Sequence, residues 1–246
     1  MVQLPAQEPP IYQPPPERIT IGILMLWTAM SAVLLAFDRA TNDFWSGRIG
    51  WLSQVVAFFY APLWGSHTAA VVLMVWRYMT DGPRFPTQPG HWLLVIGGVH
   101  ATATIFLSMV VLSTLNTWGY AGPIYEVLRL LTLALATVLY CLPLRTFQQM
   151  WGAAFVCGAV TQGVILLVNV GSMLFARNNF LVFRIEFVTT WVVLGAILLA
   201  VISDLRCGQR RDSLHTVGIF ATIAMQLLIT AIPLALWLLK RWNYLD

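Results

Sequence analysis

Of four histidines, His67 and His100 stand inside long apolar runs. An ionisable side chain is costly there and marks a functional candidate. His67 lies nine residues before Trp76, where its run ends, and His100 lies nine residues after His91, where the next begins. At roughly 1.5 Å of rise per residue, both imidazoles sit about 14 Å from the same membrane face, near the bilayer midplane. Antiparallel neighbours pack about 8–10 Å apart, so two such rings can meet. Two imidazoles facing one another across an apolar cavity are an axial ligand set for a b-type haem. His67 and His100 are therefore the candidate cofactor-binding residues. The plainer use is a proton relay or a hydrogen bond to a neighbouring helix, with Ser66, Thr68, Thr102 and Thr104 as nearby hydroxyls. His91 and His215 fall at the ends of runs, where interfacial polar residues are ordinary.

Other polar residues offer less. Glu126 and Arg129 are three apart, which on a helix lets them neutralise each other. With Glu186, they are the residues an enzyme acting on lipid-soluble substrates would use near one interface. Gln54, Gln162, Asn169 and Gln226 read first as interhelical glue. All ten acidic residues lie in tails, loops or run ends, which speaks against a carrier built on mid-span carboxylates. The single lysine, Lys240, is terminal, so a Schiff base within a span is excluded. No HExxH, Walker A, CxxCH or metal-ligand cysteine spacing occurs.

The elements that carry these residues follow from composition. The chain has 246 residues, 59% of them hydrophobic and 10% charged, where a soluble domain has about 25% charged. Mean hydropathy is +0.75. A water-soluble fold cannot cover its surface with so few polar residues. Seven apolar runs are long enough to cross a bilayer: 19–37, 49–76, 92–115, 124–142, 150–175, 185–203 and 214–239. Pro62 should kink the second. The expected fold is all-α, a polytopic bundle of seven transmembrane helices spanning residues 18–246. Residues 1–17, with six prolines and no basic residue, read as a disordered tail rather than a signal peptide.

The formal charge of +4 invites a nucleic-acid partner, but the arginines are scattered over the flanks of the runs and form no stripe. The partners expected are the lipid bilayer and another membrane protein, with no nucleic acid. Seven spans divide the basic residues seven to each face. The one asymmetry, Arg206, Arg210 and Arg211 in a short loop, sets that face and the N-terminus on the cytoplasmic side. The Pro-rich tail followed by Arg18-Ile19-Thr20 and a Leu/Ala-rich span resembles bacterial multi-pass proteins, which implies the plasma (inner) membrane of a bacterium. The expected function is a non-enzymatic subunit, scaffold or small-molecule passage element. The alternative is electron transfer through a b-type haem on His67 and His100.

Overall fold

The computed structural model describes residues 20–45, 50–81, 86–118, 122–147, 149–175, 179–209 and 211–241. The Pro-rich segment 1–17 lies outside them. Among the described residues the fold is all-α: seven α-helices, one short 3₁₀ turn (Leu142–Arg145) and no strand. The helices are α1 (Ile21–Trp45), α2 (Gly50–Asp81), α3 (Pro89–Trp118), α4 (Gly122–Cys141), α5 (Gln149–Phe175), α6 (Asn179–Arg206) and α7 (Ser213–Arg241).

Most of the helices outrun the apolar stretches that announce them. α1 continues eight residues past the end of its run, and α2 continues five past Trp76. Hydrocarbon sets the length of the apolar stretch, whereas a helix stops only where its backbone is capped. α3 starts at Pro89, whose missing N–H is no loss at the first helical position. The Gln88 carbonyl accepts the N–H groups of His91 and Trp92 behind it. α6 ends before Gly208, whose φ of +63° suits a glycine after a helix C-terminus. α2 runs on through Pro62, and the Pro62 carbonyl accepts the Trp27 indole N–H at 2.7 Å, tying α1 to α2.

Among the described residues six helices are long and apolar enough to cross a membrane, and α1 adds a shorter apolar stretch, Ile21–Ala36. Their outer faces are apolar as well: Leu131, Leu167 and Phe220 are 60%, 71% and 70% exposed. So large an apolar exterior belongs against lipid. The chain is an integral membrane protein.

α3 is central, packed on α2, α4 and α7, while α4, α5 and α6 pack in sequence beside it. Lipid supplies no hydrophobic drive between helices, so close approach and polar contacts hold such a bundle together. At Gly97 and Gly98 the backbone of α3 lies directly against the His67 ring and the His67 carbonyl of α2. Gly218 of α7 lies equally close to the Gly90 carbonyl of α3. An added Cβ at any of these positions would overlap its neighbour.

That contact separates two kinds of glycine. Gly98→Ala must push α2 from α3 and should destabilise the protein by about 1–3 kcal/mol, the range for overpacking. Gly195 has nothing near its missing Cβ, so Gly195→Ala should be neutral or stabilising by up to about 1 kcal/mol. Thermal unfolding in detergent checks both; equal melting temperatures for the two variants would contradict the contact.

Candidate functional site

A cavity of about 630 Å³ lies within the bundle, lined by residues of all seven helices. That is within the usual span of small-molecule sites, about 300–1,000 Å³. Along α3 its wall runs from Leu93 to Ile105, a length of about 18 Å at the helical rise. The lining mixes aliphatic and aromatic residues with Tyr60, His67, His100, Gln162, Glu186, Thr190, Thr222 and Gln226.

His67 and His100 therefore both line one cavity. They differ in surroundings, since His67 is 3% exposed and His100 is exposed. The His67 Nδ1–H donates to the Leu63 carbonyl at 2.6 Å, one turn back on its own helix. In a neutral imidazole this leaves Nε2 as an acceptor. Nε2 faces the Thr222 hydroxyl of α7 at 3.5 Å, which is long for a hydrogen bond. The nearby hydroxyls serve otherwise than expected. Ser66, Thr68, Thr102 and Thr104 each donate to a carbonyl of their own helix. Backbone acceptors one turn away are always in reach of a helical Ser or Thr, so they win over a distant ring.

A haem needs room between its two axial ligands. α2 and α3 touch through Gly97 and Gly98 at the level of His67, so no porphyrin fits between these helices there. A haem on these residues would have to enter from the cavity side of both rings. The tie from Nδ1–H to a carbonyl is an arrangement that orients an imidazole toward a metal.

The other expected polar residues are dispersed. Asn169 donates to the Ile165 carbonyl of its own helix rather than across an interface. The Gln162 carbonyl oxygen is buried without a hydrogen-bond partner among the described residues. The Gln54 side chain lies outside those described. Arg129 Nε and Glu126 Oε2 are 4.0 Å apart and partly exposed, away from the cavity lining.

A second polar site was not anticipated. His91 and His215, expected as ordinary interfacial residues, are 0% and 2% exposed. His91 Nε2 lies 3.0 Å from Asp212 Oδ1. The same oxygen accepts the His215 backbone N–H at 2.7 Å, so Asp212 caps α7. The Gly90 N–H donates to His215 Nδ1 at 2.9 Å. That leaves His215 Nε2 to carry the proton of the neutral ring, 3.9 Å from Asp204 Oδ2. Asp204 accepts the Trp151 indole N–H at 2.8 Å and a two-pronged bond from Arg211 at 2.9 and 3.0 Å. The cluster joins the ends of α3, α5, α6 and α7. It also places the segments before α3 and before α7 on one membrane face, as the alternation of spans requires. Asp212-Ser213 ahead of an apolar run is a capping signal legible in the sequence; its pairing with His91 is not.

On α3 and α5 apolar residues stand between the cluster and the polar residues of the cavity wall. Along α5 the order is Trp151, then buried Phe155, then Gln162. Along α3 it is His91, then Leu94 and Val95, then Gly97 and His100. Among the described residues no group of three or more His, Cys, Asp or Glu could hold a metal ion. No protein-family model matches the chain, and neither a curated protein nor a solved structure is detectably similar to it.

Burial works against ionisation of Asp212, but the bond from His91, the His215 N–H and the fields of the two imidazoles outweigh it. The carboxyl is held below its ordinary value. A lowered carboxylate stabilises the fold fully above the unfolded value of about 3.9 and loses that contribution as pH falls through the folded value. Asp212→Asn should therefore flatten the loss of stability below about pH 4 and cost about 1–3 kcal/mol at neutral pH, through the lost cap and the weakened bond to His91. Melting curves of both proteins between acid and neutral pH check this; parallel curves would contradict it.

Proposed function

We propose that this integral membrane protein binds or passes a small, largely apolar molecule in the cavity between its helices, without transforming it. The observation that carries the reading is the set of polar groups left open there. Tyr60, His100, Gln162 and Glu186 line the cavity, no hydrogen bond or ion pair joins their side-chain polar groups to another described residue, and the Gln162 carbonyl oxygen is buried with no partner among those residues. Polar groups within a bilayer are satisfied by a neighbour or kept for a ligand. A convergent set in an apolar cavity is the usual form of a binding site. Catalysis is the weaker reading. Behind the Thr222–His67 contact stands only the Leu63 carbonyl, with no carboxylate to stabilise an imidazolium.

The same proposal sets the chain in the plasma (inner) membrane of a bacterium. The N-terminus and the Arg206–Arg211 loop then face the cytoplasm, supported by the three arginines in that loop. The second reading, a b-type haem on His67 and His100, is favoured by the cavity they share and by the anchored Nδ1 of His67.

Filling the cavity tests the first reading. Ala101 lines it and is 2% exposed. Ala101→Phe should abolish a small molecule that native mass spectrometry detects on the purified wild type, while the variant still elutes as a folded protein. Retention of the same molecule by the variant would refute the site. The visible spectrum decides the second reading: a Soret band lost in His67→Ala or His100→Ala would establish the haem, and a colourless protein would remove it.

A further inference from the structure

We infer that the cavity selects a lipophilic cation bearing hydrogen-bond donors, in chemical terms a protonated amine with an apolar body. This rests on the small-molecule reading of the cavity and names its ligand class. Three observations converge. The first is charge: among the described lining residues Glu186 is the only carboxylate, and no lysine or arginine stands beside it there. A half-buried carboxylate in a mostly apolar wall asks for a cation beside it.

The second is the direction of the hydrogen bonds. Three acceptors stand in the cavity wall, beside hydroxyl and amide groups that can also donate. His67 Nδ1–H is held by Leu63, which turns Nε2 into an acceptor in the neutral ring. The Gln162 carbonyl oxygen is buried with no donor among the described residues. The Glu186 carboxylate accepts only, when ionised. An anion or an acceptor-only ligand would leave these atoms unmatched, whereas an ammonium group brings up to three donors.

The third is aromatic surface. Tyr60, Trp64 and Tyr140 line the cavity. Tyr60 and Trp64 stand edge to face with ring centroids 6.1 Å apart. The Trp64 indole N–H is held on the Met225 sulfur at 3.2 Å, which fixes the ring. Aromatic faces attract cations and repel anions through the ring quadrupole.

Three probes of one shape and different charge test this at neutral pH: diphenylmethylamine as the cation, diphenylmethanol as the neutral analogue and diphenylacetate as the anion. Binding is read from tryptophan emission of the full chain in nanodiscs of zwitterionic lipid. The signal of Ala101→Phe is subtracted as partition into lipid, and Ala61→Phe, in the α2 part of the wall, replaces that control if it does not fold. The amine should bind at least tenfold more tightly than either analogue, and Glu186→Gln should remove that preference while leaving the alcohol unchanged. If the alcohol binds as tightly as the amine and Glu186→Gln changes neither, the cation assignment falls and the binding cavity stands. If no probe distinguishes wild type from the filled variants, the cavity reading falls with it.

Discussion

Asp212 places one carboxylate oxygen between the His91 ring of α3 and the first turn of α7. Neither helix end could be buried without it. The backbone N–H groups that open α7 need an acceptor, and the fully buried His91 ring needs one for its Nε2–H. One oxygen serves both, and so the position of α7 against α3 is fixed. Gly90 and Gly218 then bring the two backbones into contact, and the Gly90 N–H closes on His215. Asp204 extends the arrangement to α5 and α6 through Trp151 and Arg211.

Below that polar end the bundle changes character. Trp151, Phe155, Tyr140, Val193 and Ile197 form an aromatic and aliphatic layer, with Phe147 stacked on Phe155 at 5.8 Å. This layer is closely packed, and its Tyr140 side forms part of the cavity wall. The contrast has a physical source. At the membrane face, Asp204, Arg211, Asp212 and His215 each hold partners that tighten the structure. Deeper in, glycine contacts hold α2 against α3, while Tyr60, Gln162 and Glu186 stand in the wall of the cavity. One end of the molecule is clamped by polar contacts and the middle encloses a cavity.

The sequence by itself determined the class of the protein and the place of each helix. Hydrocarbon demands long apolar runs, and those runs are visible without any knowledge of packing. It also placed His67 and His100 equally far along their helices from the α2–α3 connection, because helical rise converts residue number into distance. It did not determine rotation about the helix axis, and rotation decides partners. Only the tertiary structure brought His67 to Thr222 across 155 residues of chain and His91 to Asp212 across 121. Only the tertiary structure turned Glu186 toward the same cavity as both histidines, although its place near a run end had suggested an interfacial residue. His91 and His215 were misjudged for the same reason. Sequence position places them at span ends, where water is near, but the cap of α7 and the ring of Trp151 seal them from it. Depth in a membrane is a one-dimensional property that a sequence carries; enclosure is a three-dimensional one that several helices create together.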